Sequence, residues 1–94
     1  MFKLSFRPRA LRSLKKAERR IQLQINFALN ELGTNNFNVL DIRKIEGSKY
    51  GHRLRVGRWR ILFSLFSGEK RIEIVDIFLK KGYQDYQKRK QLLK

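Results

Sequence analysis

Two residues, Gly57 and Arg58, separate two runs in which apolar and polar side chains alternate, His52 to Val56 and Trp59 to Leu65. Period-two alternation on both sides of a two-residue gap containing glycine is the pattern of a tight β-hairpin. In the first run Leu54 and Val56 share one face, with Arg53 and Arg55 on the other. In the second, Trp59, Ile61, Phe63 and Leu65 make the apolar face and Arg60, Leu62 and Ser64 lie opposite. Arg53, Arg55, Arg58 and Arg60 fall at alternate positions and are expected to emerge along one side of the sheet, the candidate working surface.

The remaining chain has to supply what such a hairpin packs against. Phe2 to Phe6 alternates with period two, so a short first strand is expected with Phe2, Leu4 and Phe6 toward the core, ended by Pro8 at the first turn of a helix. From Ala10 the apolar residues recur at 11, 14, 17, 21, 25, 28, 29 and 32, one helical face, with Arg9, Arg12, Lys15, Lys16, Arg19 and Arg20 around the other. Neither Gly nor Pro interrupts Arg9 to Leu32, which leaves open one long helix or a pair bent at Lys16 to Arg20; Gly33 reads as the C-cap. Asp41 to Ile45 suggests a strand ending in the turn at Glu46-Gly47-Ser48, and Ser67 to Lys70 turns the chain into Arg71 to Phe78, a β-branched run expected to be covered on both sides. After Gly82 a basic terminal helix begins near Gln84, with Tyr83, Tyr86 and Leu93 touching the body of the domain. The expected fold is α+β, one domain over residues 1–94. It comprises a small, mainly antiparallel sheet of about four strands, an N-terminal helical region on one face and a C-terminal helix.

Charge narrows the function. The chain carries 23 Lys and Arg against 8 Asp and Glu, a formal net of +15 over 94 residues. Such an excess repels itself, and a polyanion is its usual compensation, here read as nucleic acid or ribonucleoprotein, with an acidic protein as a further partner. There is no cysteine and one histidine, so disulfides and thiolate or imidazole metal clusters are excluded. Apolar runs are a few residues long, and Arg7, Pro8 and Arg9 cut the first, so neither a signal peptide nor a membrane span is expected; a soluble, cytoplasmic chain is.

A strand ending HRLRVG, a strand beginning WRILFSL, an apolar strand and a basic segment spaced to YQDY together resemble the RelE/ParE toxin superfamily of bacterial and archaeal toxin-antitoxin systems. The resemblance covers nearly the whole chain. It implies a small α+β domain whose concave sheet surface is a binding site, used in the RelE branch to cut mRNA in the ribosomal A site and in the ParE branch to inhibit DNA gyrase without chemistry. Carried over by position, it implies Arg60, Lys80 and Tyr86 as catalytic residues and Arg53 and Arg55 as RNA-binding. Lys80 stands where RelE has an arginine. A cognate antitoxin, an acidic or amphipathic segment covering the basic sheet, is the implied protein partner.

These residue types suit RNA cleavage by the internal 2'-hydroxyl, which needs help removing its proton, cations for the phosphorane, and a proton for the leaving 5'-oxygen. No carboxylate pair is placed for two-metal chemistry, so neither metal nor cofactor is expected. Arg60 is the phosphate clamp, since its planar fork matches two phosphate oxygens. Tyr86 is a general base or a base-stacking platform, and as a base it needs its pKa lowered by Lys80, Lys81, Arg53 and Arg55. Lys80 or Lys81 supplies charge and the proton, Tyr83 can stack a base, Arg58 adds charge, and His52 is the one imidazole near the surface. Three functions follow for test: a ribosome-dependent endoribonuclease, a gyrase inhibitor, or a plain RNA-binding module.

Overall fold

The computed structural model describes residues 1–82 and 84–93. In chain order the elements are β1 (Lys3–Phe6), α1 (Pro8–Lys16), α2 (Arg19–Gly33), β2 (Asp41–Lys44), β3 (Gly51–Val56), β4 (Trp59–Phe66), β5 (Arg71–Leu79) and α3 (Gln84–Arg89), with 3-10 turns at Phe37–Val39, Ser67–Glu69 and Lys90–Leu92. The sheet has five strands in the order β1-β5-β4-β3-β2. β1 runs parallel to β5 and every other pair is antiparallel. This is the expected α+β architecture, with β1 and β2 as its two edges.

The hairpin forms as its sequence requires. Val56 pairs with Trp59 across the turn, and Gly57 takes a φ of 60°, which a side chain at that position would resist. Arg58, the second turn residue, is exposed and lies outside the strands, and the cleft that gathers Arg53, Arg55 and Arg60 does not include it, contrary to the expected row of four.

The helical region is a pair. Ala17 and Glu18 are extended, with ψ near 155° and 151°, breaking the helix where its apolar stripe is weakest. The Gln22 side-chain amide donates to the carbonyls of Leu14 and Lys15, both at 3.0 Å, so α2 satisfies acceptors that the end of α1 leaves open. Gly33 has another role than the expected cap: it is buried inside the last turn of α2, where a Cβ would lie 3.1 Å from Leu4 Cδ1 and its carbonyl accepts from Phe2 N at 2.7 Å. Thr34 follows the helix, and the left-handed residue is Asn35, φ 65°.

Both faces of the sheet are covered, unequally. Ala10, Ile25, Ala28, Leu29 and Leu32 from the helices pack on Leu54, Ile61, Phe63, Ile72, Ile74 and Ile77, with Phe2 and Leu4 at the border. Phe6, expected in this core, is 37% exposed, because β1 is an edge strand and ends there. On the other face a smaller cluster of Ile45, Leu62, Val75, Phe78 and Leu93 is joined by Tyr86 and Leu92. A bulge in β5 makes this possible: Leu62 pairs with Asp76 but Phe63 with Ile74, so Val75 is the extra residue. It transfers Asp76 and Phe78 off the face that Ile72 and Ile74 occupy, and returns Ile77 to it. Among the described residues no helix is long and apolar enough to cross a membrane.

Candidate nucleic-acid interface

The strand register sets the charges of the second face side by side. Asp41, Arg55, Arg60 and Phe78 form one row across four strands, and Arg43, Arg53, Leu62 and Asp76 the next. Arg55 thus lies directly opposite Arg60, and Arg43 opposite Arg53. Like charges in such pairs oppose folding, which an anion bound between them would relieve.

These residues line a cleft of about 350 Å³ between the open part of the sheet and α3, formed by Arg43, Lys44, Glu46, Arg53, Arg55, Arg60, Lys80, Tyr86, Gln87 and Lys90 around Ile45. Five residues expected to act together, Arg53, Arg55, Arg60, Lys80 and Tyr86, meet here. Seven of the lining side chains are Lys or Arg and Glu46 is the one acid, a balance suited to a phosphate backbone. A second cleft, about 840 Å³, lies at the junction of α1, β5 and α3.

Neighbouring groups hold these side chains in place. Arg60 Nη1 donates to the carbonyls of Gly57 at 2.9 Å and Trp59 at 3.0 Å, which ties its guanidinium to the hairpin turn. Arg53 Nη1 is buried and makes no hydrogen bond, standing 3.4 Å from Asp41 Oδ1, while Arg55 Nη1 lies 3.8 Å from Asp41 Oδ2. One half-exposed aspartate is therefore shared by two arginines. Lys80 Nζ lies over the Tyr86 ring, 5.2 Å from its centroid, and the ring meets Phe78 edge-on at 5.7 Å.

Tyr86 is the most informative member. Its hydroxyl is buried beside the Arg60 guanidinium, without a hydrogen bond of good geometry among the described residues. Burial raises its pKa above the ordinary 10.0, and the Arg53 and Arg60 guanidiniums, which pull the other way, do not reverse this. The lowering that a general base would need is absent, so in the free protein Tyr86 is a neutral phenol and a hydrogen-bond donor.

The other expected residues lie elsewhere. His52 is on the helix-facing side, stacked on Phe63 with centroids 5.3 Å apart, its Nδ1 2.9 Å from the Tyr50 carbonyl oxygen, and burial lowers its pKa. Lys81 is exposed, and its backbone N–H donates to Asp85 Oδ2 at 2.6 Å beside α3, outside the cleft. Tyr83 is outside the described residues. Arg43, Lys44, Glu46, Gln87 and Lys90 were not singled out from sequence. Arg43 follows once β2 is paired with β3, because it occupies the same face as Arg53, whereas Gln87 and Lys90 need the path of α3. Among the described residues no three His, Asp or Glu side chains are grouped to hold a metal ion.

Fold and site define a class: a small, very basic α+β domain with an arginine-lined cleft between an open sheet face and a short C-terminal helix. Solved structures share that fold. RelE in the RelB-RelE antitoxin-toxin complex from Methanococcus jannaschii superposes with a TM-score of 0.72 at 26% identity, covering 86% of this chain and 95% of that one. The isolated E. coli RelE toxin gives 0.72 at 14% identity over 99% and 100%, and the archaeal RelE-RelB complex from Pyrococcus horikoshii gives 0.63 at 19% over 85% and 96%. No protein-family model and no curated protein sequence matches the chain. These likenesses support a place for the chain in the RelE-like toxin superfamily.

Proposed function

We propose that this chain is the toxin of a type II toxin-antitoxin pair and that it cleaves mRNA in the ribosomal A site without a metal ion. The observation that carries the reading is the meeting of Arg53, Arg55, Arg60, Lys80 and Tyr86 in one cleft, around a buried hydroxyl without a hydrogen bond of good geometry. An unmatched buried polar group costs about 1–3 kcal/mol. A phosphate oxygen accepting from Tyr86 would remove that cost.

In this mechanism the 2'-oxygen attacks the adjacent phosphorus, its proton passing to water, and the 5'-oxygen leaves. Arg60, fixed by the turn carbonyls, and Arg53 and Arg55 neutralise the charge that builds on the phosphorane. Tyr86 donates to a phosphoryl oxygen, and the Lys80 ammonium, already over the Tyr86 ring, protonates the leaving 5'-oxygen. Such help is electrostatic and positional, which requires the RNA to arrive in a suitable conformation; ribosome dependence follows from that. An acidic antitoxin segment lying over the same cations would block the cleft.

The deciding assay uses purified protein, a defined mRNA and purified ribosomes. Cleavage of translated mRNA is expected only when ribosomes are present, and Arg60→Ala should slow it by about 10²–10³-fold while leaving the protein folded. Intact mRNA together with inhibited gyrase supercoiling would overturn the reading in favour of a gyrase inhibitor, and no effect in either assay would leave an RNA-binding module.

A further inference from the structure

Asp76 is a carboxylate in the middle of an otherwise apolar strand, 2% exposed, and the cleft does not use it. Its Oδ2 accepts from Arg89 Nε at 2.7 Å, while Oδ1 accepts from the backbone N–H of Ile77 at 2.9 Å and lies 3.4 Å from Arg9 Nε. Arg89 comes from α3 and Arg9 from α1, so one carboxylate is gripped by helices from the two sides of the sheet. Two features of β5 allow this. The bulge at Val75 turns Asp76 toward α3, and pairing with β1 ends at Ile74, leaving the edge beside Asp76 open to Arg9.

α3 has few other holds. It spans six residues, none of them buried, and a helix so short does not persist without tertiary support. Its attachment comes from Arg89 on Asp76, from the Arg89 guanidinium lying 4.1 Å from the Phe78 ring centroid, from Tyr86 against that same ring, and from Leu92 and Leu93 just beyond, where the Leu92 carbonyl accepts from Arg7 Nη1 at 3.1 Å. Arg89 lies one turn after Tyr86. A buried ion pair adds little net stability compared with apolar packing, but it imposes one geometry, since any displacement leaves a buried charge unmatched.

We propose that Asp76, acting through Arg89, is the positioning residue that holds α3 in register on the sheet and so places the Tyr86 hydroxyl among Arg53, Arg55 and Arg60. The inference rests on Tyr86 working in the cleft, as proposed above. The RNA-binding cations stand on β2, β3 and β4 and do not depend on Asp76; the placement of Tyr86 does.

The test is Asp76→Asn, with Arg89→Met as a second variant that keeps packing over Phe78, both in full-length protein. On programmed ribosomes, kcat should fall roughly tenfold to a hundredfold, the scale of a misplaced group, while KM changes by less than about twofold. In a Tyr86→Phe background Asp76→Asn should cost nothing further, because the residue acts through Tyr86. Amide exchange over residues 84–89 should quicken in both variants while β4 stays protected. An undiminished kcat, or an equal loss in the Tyr86→Phe background, overturns the proposal. If the wild type cleaves nothing, the catalytic reading fails and exchange alone decides: unchanged protection of α3 in both variants overturns the latch as well.

Discussion

The two faces of the sheet are built from alternate residues of the same strands and solve opposite problems. The helix-facing side is closed by two helices over Leu54, Ile61, Phe63, Ile72, Ile74 and Ile77, nearly all without solvent exposure. The other side has a smaller apolar cluster at one end, under a six-residue helix, and at the other a cleft where arginines face arginines across the ladder. One face favours folding through burial, at about 1.5–3 kcal/mol for each large apolar side chain. The second face opposes it by charge repulsion and by a hydroxyl left without a well-formed hydrogen bond. The lesson is that the stability surplus of the first face lets the second carry an arrangement of like charges that is unfavourable by itself.

Substitution at paired depths should divide the faces most sharply. Phe63→Ala, in the closed core at 1% exposure, is expected to lower unfolding free energy by about 3–5 kcal/mol in urea titrations. Arg60→Ala, three residues earlier in β4 and on the cleft face, should change stability by about 0.5 kcal/mol or less, or raise it by relieving Arg55. Its cost should fall on cleavage, by about 10²–10³-fold in kcat, the scale of a removed transition-state donor. If Arg60→Ala unfolds the chain as Phe63→Ala does, the two faces are not separate in the way described.

The next effect concerns what Tyr86 contributes. Tyr86→Phe removes the hydroxyl and keeps the ring on Phe78 and under Lys80, so a loss of about tenfold or more in kcat is expected without unfolding. The sign of its pH dependence follows from burial. The folded pKa lies above the ordinary 10.0, so the phenol remains protonated throughout the neutral range. A donor role then gives a wild-type to Tyr86→Phe rate ratio that is constant from about pH 6 to 9. A base would instead make that ratio rise close to tenfold per pH unit. Parallel single-turnover profiles of the two proteins decide between these.

How legible the two faces are in the sequence differs as well. The closed face is written in period-two and helical spacing, and Leu54, Val56, Trp59, Ile61 and Phe63 occupy the expected side because alternation is a local property of a strand. Whether the helical region is one helix or a pair is not legible in the sequence, since its break depends on Gln22 reaching back to Leu14 and Lys15, a contact between elements. The cleft was legible only within the hairpin: Arg53, Arg55 and Arg60 follow from the turn, and Lys80 and Tyr86 were supplied by the family resemblance. Arg43 needed the β2–β3 register. Asp76 needed the Val75 bulge, because strict alternation would have sent it to the closed face with Ile72 and Ile74. Arg58 was misplaced for a related reason, as a turn residue does not continue the pleat of its strand.

The smallest effect belongs to His52, and it tests which face that residue occupies. Stacked on Phe63 and partly buried, its pKa is lowered from 6.5 chiefly by burial, with Lys44 also lowering it and the Tyr50 carbonyl opposing. The folded state therefore prefers the neutral ring. Its contribution to stability is present above the unfolded-state value of 6.5 and is lost as pH falls through the lower, folded-state value. Thermal melts should show a small decline in Tm below pH 6.5 that disappears in His52→Phe, which keeps an aromatic ring on Phe63 without a titrating group. Cleavage at neutral pH should be unchanged in that variant, because no part of the cleft is built on His52. A large loss of cleavage in a folded His52→Phe protein would instead place the imidazole in the chemistry of the open face and break the division between the two sides.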